Sequence, residues 1–327
     1  MEWCLALSIL SMYKYNLTFT TMFYHNSFMV EPWIEYHKNL GVDHFILYYD
    51  GLLSDLERKD AVTYNKILEY CEQDLTTLIE WDIHDGNGWR PYKLPYDHMN
   101  KWLDGDKVKL WEKHRMHQFH DTLWKFGHLT QWVGNFDLDE FVITEKHDNI
   151  TDFLSQYNVD EISHIRMINN WAELDGMSME DYKKFNLDDL LKYDTLVLES
   201  KDKDGEIFLY STSEGKYIYN PRNVVQLRNH HVEIYDETKE VIYLDCEDGS
   251  YLHYKAEWNE GGESNLRKNY MSKWPINHPN VWAHHQVFEE LKYDVDEYVF
   301  TNWVLPKIGK KTILNNRIKD LIKGNVK

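Results

Sequence analysis

The chain has 327 residues, of which 43% are hydrophobic and 15% are aromatic, so it can bury a substantial core and is not a disordered protein. Asp and Glu outnumber Lys and Arg by 55 to 36, which gives a net charge of −19. A surface of this charge repels a phosphate backbone and argues against nucleic-acid binding, although a small anion can still bind at a local cation or through a metal ion.

The N-terminal stretch "MEWCLALSIL" is apolar but much shorter than the roughly 20 residues that cross a bilayer. It carries Glu2 where a signal peptide carries positive charge. The three cysteines, Cys4, Cys71 and Cys246, are odd in number and far apart, which predicts neither a disulfide framework nor a zinc knuckle. These features predict a soluble cytoplasmic protein without a transmembrane anchor.

The first 85 residues alternate between strand and helix patterns. Trp33, Tyr36, His37 and Leu40 recur at helical spacing, between Pro32 and Gly41 at the two ends of a helix. The run "HFILYY" is continuously apolar, as in a strand that is buried on both faces of a parallel sheet. The predicted strands are 17–24, 44–49 and 75–83, with a second helix over 59–73. This alternation predicts an α/β fold with a doubly wound sheet and helices on both of its faces.

Apolar spacing also predicts which faces of two later helices are buried. The stripe predicted for the helix over 59–73 consists of Ala61, Tyr64, Leu68 and Cys71. The inner face predicted for a helix over 112–129 consists of Met116, Phe119, Leu123 and Phe126.

The remaining chain divides at about residue 160. Residues 84–110 predict a long loop, and "QWVGNFDLDEFV" predicts a strand that follows the 112–129 helix. After residue 160, short strand patterns alternate with polar loops, and 264–327 predicts helices. We expect residues 1–160 and 161–327 to form two halves of the same compact domain.

The acids in "NFDLDEFV" predict a metal site. On an extended chain Asp137 and Asp139 share one face, while Leu138 points to the other. Two carboxylates on one face repel each other unless a cation lies between them, and hard oxygen ligands suit Mg²⁺ or Mn²⁺. Such an ion can bridge the diphosphate of a nucleotide substrate. The alternative interpretation is an acidic turn that ends a strand.

Four segments, taken together, resemble a known family. "MVEPWIEYHKNLGVDHFILYYDG", "WVGNFDLDEFV", "GKYIYNPRNVVQLRNHHV" and "YLHYKAEW" are similar in order and spacing to segments of the family 92 glycosyltransferases, across about residues 17–258. The resemblance implies a GT-A type fold: a Rossmann-like, doubly wound mixed sheet. It also implies that residues 1–160 bind a nucleotide sugar and that 161–327 form an α+β acceptor-side region.

The resemblance further implies a metal-dependent enzyme that transfers a sugar from a nucleotide sugar, a UDP-sugar, to a hydroxyl of a glycan or glycoprotein. Family members are typically membrane-anchored in the secretory pathway. A chain without an anchor suits a bacterial enzyme, or one from a large DNA virus that glycosylates in the host cytoplasm. The sugar, the linkage and the oligomeric state stay open.

The resemblance assigns the metal ligands to the D-x-D segment and a late histidine. Asp139 is expected to bind Mn²⁺ or Mg²⁺ directly, and Asp137 to reach either the ribose or the metal through water. Glu140 either orients these two or solvates the end of the strand. The late histidine is expected to be His253, with His230 and His231 as alternatives.

The expected donor-binding residues follow the first two strands and flank the metal site. They are Tyr24, His25, Asn26, Asp50, Arg115, Asp137 and Lys255. Asp50 is also interpretable as a turn former before Gly51, and Arg115 as half of a surface salt bridge. Lys255 is expected to stabilise the departing diphosphate.

The acceptor side is expected to lie in "NNWAELDG". An inverting enzyme needs a base that deprotonates the acceptor hydroxyl, and Glu173 and Asp175 are the candidates. Trp171 is expected to stack on a sugar ring. A retaining mechanism would leave no evident base. Two other functions are compatible with the sequence: a non-catalytic glycan-binding protein, and a hydrolase or nucleotidyltransferase that acts on nucleotide sugars.

Overall fold

The structure is a computed structural model. It describes residues 13–24, 26–81, 110–144, 146–174, 192, 195–197, 200–201, 207–208, 211–227, 232–234, 238–244, 248–254 and 320.

The helices are α1 Val30–Leu40, α2 Leu53–Lys59, α3 Ala61–Glu72, α4 Leu110–Phe126 and α5 Ile150–Leu154. The first strands are β1 Tyr15–Phe23, β2 His44–Tyr49, β3 Thr76–Glu80, β4 Thr130–Asn135, β5 Glu140–Ile143, β6 Ile162–Leu174 and β7 Thr195–Val197. The later strands are β8 Ser200–Lys201, β9 Ile207–Phe208, β10 Ser211–Tyr219, β11 Val224–Leu227, β12 Val232–Ile234, β13 Glu240–Tyr243 and β14 Ser250–Tyr254.

Ten of these strands form one mixed sheet in the order β3-β2-β1-β4-β10-β6-β14-β5, with β7 and β13 also paired to β6. Strands β3, β2, β1 and β4 are parallel to one another. Strand β10 runs antiparallel to β4 and β6, and β14 runs antiparallel to β5. The predicted β-α-β-α-β beginning is confirmed as the parallel part of this sheet.

The sheet curls. Three strands separate β4 from β5, so a flat sheet would hold them roughly 19 Å apart at the usual strand spacing. Residues 136–139 alone connect the two strands, and part of this connection is a turn that shortens its reach. The sheet therefore bends back until β5 lies close to the end of β4.

Helices pack on both faces of β1. Phe19 contacts Trp33 and His37 of α1, with ring centroids 6.1 and 5.0 Å apart. The next residue, Thr20, has its hydroxyl 2.6 Å from Gln118 Nε2 and 3.1 Å from the Thr122 hydroxyl on α4. Neighbouring residues of a strand point to opposite faces, so α1 and α4 cover opposite faces of the sheet.

The predicted face of α1 is confirmed, since Trp33, Tyr36, His37 and Leu40 are all buried. The helix ends at Gly41, whose φ of 108° lies in the left-handed region that glycine adopts without strain. Within the described part of the chain, no helix has the length and apolar character needed to cross a bilayer.

The predicted stripe of the third helix is confirmed in part, since Tyr64 and Cys71 are partly buried and pack against the core, whereas Ala61 is exposed. Ile67 and Tyr70 are the buried residues of α3, while Leu68 is 38% exposed. The centre of the buried face is thus shifted by about one residue from the predicted stripe, and the Tyr70 hydroxyl donates a hydrogen bond of 2.6 Å to Glu35 on α1. The predicted loop 84–110 and the helices predicted over 264–327 fall almost entirely outside the described residues.

Candidate functional site

The acidic segment is a turn between two strands. Strand β4 ends at Asn135, and the backbone N–H of Glu140 donates a hydrogen bond of 3.0 Å to the carbonyl of Asp137. The prediction that Asp137 and Asp139 share one face of a single extended strand is therefore wrong, because a tight turn rotates the chain between them. The turn still lies beyond the carboxyl end of a parallel strand, where α/β proteins bind ligands.

Glu140 stabilises this turn from within. Its side chain is 1% exposed, and Oε2 accepts a hydrogen bond of 2.8 Å from the backbone N–H of Asp137. Of the two interpretations that the sequence left open, orienting the acids describes this contact and solvating the strand end does not, since the carboxylate is buried.

Helix α1 holds β5, and with it the far end of the turn. Trp33 Nε1 donates to the Glu140 carbonyl at 3.0 Å, and the Tyr36 hydroxyl donates to the Val142 carbonyl at 2.8 Å. The Val142 N–H donates to His37 Nε2 at 3.1 Å. Strand β5 pairs with β14 along one edge, so these side chains satisfy backbone groups that point away from β14.

Arg115 approaches the turn from α4, where its Nη2 pairs with Oδ1 of Asp137. Burial lowers the pKa of the Arg115 guanidinium, and the charges of Glu140 and Asp139 oppose that shift. Beyond Arg115, α4 is fixed to the sheet by the Gln118 and Thr122 contacts with Thr20.

Lys216 of β10 approaches the turn from the neighbouring strand. Its side chain is 2% exposed, and Nζ lies 3.1 Å from Oδ2 of Asp137 and 3.2 Å from Oε2 of Glu140. Burial, followed by the positive charge of Arg115, lowers the pKa of Lys216 to about 8. The lysine is therefore mostly protonated at pH 7 and holds two of the three acids.

His253 of β14 lies beside the third acid. Its Nε2 is 3.5 Å from Oδ2 of Asp139, and its Nδ1 is 3.8 Å from Oε1 of Glu140. Burial alone would raise the pKa of Asp139, but the charges of His253, Arg115 and Lys216 outweigh it and the pKa lies below its usual value. Asp139 is accordingly a carboxylate at neutral pH.

The cluster needs one further positive charge for balance, which either a protonated His253 or a bound cation supplies. Asp137, Asp139 and Glu140 contribute three negative charges, and Arg115 and Lys216 contribute two positive ones. With His253 neutral, one negative charge is left. Both oxygens of Asp137 already contact cations, so the acid without an arginine or lysine partner among these contacts is Asp139.

Asp139 and His253 suit a divalent cation in their chemistry and spacing. Two ligands at about 2.1 Å from one octahedral ion lie about 3 Å apart, and a small approach of these side chains from 3.5 Å produces that spacing. A carboxylate oxygen and an imidazole nitrogen both suit Mn²⁺. No group of three or more His, Cys, Asp or Glu side chains is arranged around a metal position in the part of the chain that the structure describes.

The expected nucleobase residues lie at the same edge of the sheet. Tyr24 and Asp50 follow β1 and β2, whose last residues, Phe23 and Tyr49, are paired in register. Tyr24 is 37% exposed, lies 5.8 Å from the Tyr49 ring and has its hydroxyl 3.3 Å from Lys59 Nζ. Asn26 precedes a short 3₁₀ turn over Ser27–Met29. Their part in donor binding stays a prediction.

The acceptor-side residues are placed by backbone register. Trp171 pairs with His253 in the parallel β6–β14 ladder, and Glu173 pairs with Leu196 of β7. The structure thus brings the Trp171 position beside the candidate metal ligand. His25, Asp175, His230, His231 and Lys255 lie outside the described residues.

Sequence reasoning missed Lys216. The residue stands in the quoted segment "GKYIYN", where it is the single charge within an apolar strand pattern. A lysine in such a position is almost never fully buried unless it is paired, and that signal was available from the sequence.

Comparison with known families identifies the class of the protein. The sequence model of Glycosyltransferase family 92 matches residues 15–311, and the chain belongs to this family. The protein is therefore a sugar-transferring enzyme with a sugar donor and an acceptor, which confirms the resemblance seen in the four segments. No curated protein sequence matches the chain.

Proposed function

We propose that the protein transfers a sugar from a UDP-sugar to a hydroxyl of a glycan, with inversion at the anomeric carbon, in a metal-dependent reaction on a GT-A type fold. Family membership supplies the sugar transfer. The observation that carries the metal-dependent part is the pair Asp139 and His253, 3.5 Å apart beside a turn whose other two acids are bound by Lys216.

Asp139 and His253 are the residues proposed to hold Mn²⁺ or Mg²⁺. Such an ion, when bound, stabilises negative charge on the diphosphate as the nucleotide leaves. Donor oxygens and water would complete the coordination of such an ion, since two protein ligands alone are too few to hold it. The carboxylate of Asp137 is held by Arg115 and Lys216 and stabilises the turn.

The donor is proposed to lie along the edge formed by the ends of β1, β2 and β4. Tyr24 offers a partly exposed ring and Asp50 a carboxylate at the nucleobase end. Arg115 lies at the other end, where it pairs with Asp137 and brings positive charge towards the diphosphate. The positions of the three strand ends support this direction, because parallel strands end at one edge.

The acceptor is proposed to lie on the β6–β14 side. Glu173, or Asp175 two residues further, would take the proton from the acceptor hydroxyl as its oxygen attacks the anomeric carbon. The nucleotide diphosphate then leaves from the opposite face of the sugar ring, which inverts the configuration. The register of Trp171 with His253 supports an acceptor next to the donor phosphate.

The experiment is a thermal-shift panel of UDP- and GDP-sugars with and without Mn²⁺. A UDP-sugar should raise the melting temperature only when the metal is present, because ligands that bind the folded state stabilise it. Asp139→Ala should abolish this shift with little change in the melting temperature of the free protein.

The matched control is Asp74→Ala. Asp74 is also an ion-paired aspartate, with Lys14 at 2.7 Å, but it precedes β3 at the opposite edge of the sheet. The control should keep the full metal-dependent shift. Donor binding that survives in Asp139→Ala would contradict the metal site, and donor turnover that is independent of any acceptor would indicate a nucleotide-sugar hydrolase.

A further inference from the structure

We infer that Lys216 is a positioning residue that keeps Asp137 away from the metal, so that Asp139 and His253 alone receive it. The inference rests on the proposed function and adds a residue to it. Asp137, the first acid of the D-x-D segment, then stabilises the turn and does not bind the metal.

Lys216 is buried between two acids of the turn. Its side chain is 2% exposed, and its ammonium group lies between Asp137 Oδ2 at 3.1 Å and Glu140 Oε2 at 3.2 Å. A buried ammonium group is tolerated only when it is paired, so this lysine and these two acids depend on one another. Because the side chain is almost fully buried, the inference gives it no direct contact with the donor.

Both carboxylate oxygens of Asp137 contact a positively charged side chain. Arg115 contacts Oδ1 and Lys216 contacts Oδ2, so each carboxylate oxygen already has a cationic partner. Metal coordination by Asp137 would bring a divalent cation next to the arginine and the lysine that already contact this carboxylate, and these like charges repel one another. Asp139, by contrast, contacts only the imidazole of His253 among the ion pairs of the described chain.

Lys216 also connects the two ends of the turn. Glu140 accepts from the N–H of Asp137 and from Lys216 through the same oxygen, Oε2. Lys216 therefore joins both ends of the turn, and Asp139 lies between those ends. Without the lysine, the buried Glu140 and the partly buried Asp137 would repel each other across the turn, and the Asp139 carboxylate would lose its orientation.

The test is a double-mutant cycle on the Mn²⁺ concentration that gives half of the UDP-dependent thermal shift. Lys216→Met keeps an unbranched side chain, one atom shorter, and removes its charge. It should raise this concentration about tenfold, as substitutions of residues that orient metal ligands commonly do. In the Asp137→Asn background the same substitution should change it by about twofold or less, because its target carboxylate is already gone.

Lys125→Met is the matched control. Lys125 Nζ lies 2.7 Å from the buried carboxylate of Asp121, so this change also removes a lysine from a buried acid, away from the turn. It should lower the melting temperature and leave the Mn²⁺ requirement unchanged. If Lys216→Met does not fold, Asp137→Asn is compared with the variant that carries both substitutions. These two proteins should need the same Mn²⁺ concentration, which should be higher than that of the wild-type protein.

The outcomes separate the two proposals. A wild-type protein without any Mn²⁺-dependent UDP shift contradicts the proposed function and the inference together. A wild-type shift whose Mn²⁺ requirement is unchanged in Lys216→Met overturns the inference alone. So does a Lys216→Met effect of equal size in both backgrounds, or a double variant that needs markedly more Mn²⁺ than Asp137→Asn.

Discussion

At the scale of single residues, the site depends on buried charges that hold a turn. Glu140 is 1% exposed, and one of its oxygens accepts from a backbone N–H and lies next to an ammonium group. Breaking a buried ion pair on one side leaves the other charge without compensation, which costs more than the pair itself contributes.

Glu140→Gln should therefore lower the free energy of unfolding by about 1–3 kcal/mol. The amide can still accept from the N–H of Asp137, but it no longer neutralises Lys216. Urea denaturation measures the change. Glu80→Gln is the control, because Glu80 also accepts from a backbone N–H, that of Leu53 at 2.8 Å, but at an exposed position. Equal losses in the two variants would contradict the role of the buried charge.

At the scale of elements, α1 determines where β5 lies. Three of its side chains bond backbone groups of β5, so the helix acts in place of a neighbouring strand. The apolar periodicity predicted that Trp33, Tyr36 and His37 face inward, but it could not show that their polar atoms bond a strand more than a hundred residues away. Periodicity reports which face is buried and says nothing about its distant partners.

Tyr36→Phe should lower the free energy of unfolding by about 1–3 kcal/mol, because the buried Val142 carbonyl loses the hydroxyl. It should also weaken metal-dependent UDP binding, because β5 carries the end of the turn. Tyr70→Phe is the control: its hydroxyl bonds Glu35 between α1 and α3, away from β5. Melting temperatures with and without UDP and Mn²⁺ distinguish the two variants. An undiminished UDP-dependent shift in Tyr36→Phe would contradict a link between the Tyr36 hydrogen bond and UDP binding.

The acidic segment shows why element boundaries are harder to predict than elements. "NFDLDEFV" alternates as a strand does, and both β4 and β5 are indeed strands. The turn between them is stabilised by Glu140 and Lys216, and the lysine comes from β10, about eighty residues later in the chain. A local pattern does not contain that contact, so the sequence predicted the location of the acids but not their arrangement.

At the scale of the whole molecule, two histidines join helices to distant strands in the same way: His37 of α1 bonds β5 of the main sheet, and His120 of α4 bonds β11, which forms a two-stranded sheet with β12. His37 Nδ1 donates to the Trp33 carbonyl, and Nε2 accepts from Val142 N–H. His120 Nδ1 donates to the Met116 carbonyl, and Nε2 accepts from Leu227 N–H. Both rings must be neutral to accept, and burial lowers the pKa of His37 to about 3 and that of His120 to about 4.

These histidines predict a loss of stability in mild acid. Between pH 6.5 and about 4 the unfolded chain binds protons that the folded chain does not, so stability falls as the pH falls through this window. Together the two sites should remove about 3–4 kcal/mol between pH 7 and pH 5.

Urea denaturation at several pH values measures this loss. His120→Gln should be less stable at pH 7 but should show a smaller loss on acidification, whereas the control His128→Gln, at an exposed histidine, should keep the full loss. A wild-type stability that stays constant from pH 7 to pH 5 would contradict the assignment of both rings.

The organisation of the whole sheet was predicted in part. The parallel order of β3, β2, β1 and β4 follows from alternating strand and helix patterns, and both covering helices were found by their apolar faces. The curl that returns β5 to the end of β4 depends on pairings of β10, β6 and β14. Those pairings join strands that are far apart in sequence, and short strand patterns do not specify their partners.

The proposed metal-dependent sugar transfer requires a divalent cation between Asp139 and His253. The direct measurement is an anomalous difference map from crystals of the wild-type protein soaked with MnCl₂ and UDP. We predict one strong manganese peak within about 2.3 Å of an Asp139 oxygen and of His253 Nε2, with Asp137 still bound to Arg115 and Lys216. A UDP diphosphate bound without manganese, or a manganese peak away from both side chains, would contradict the account.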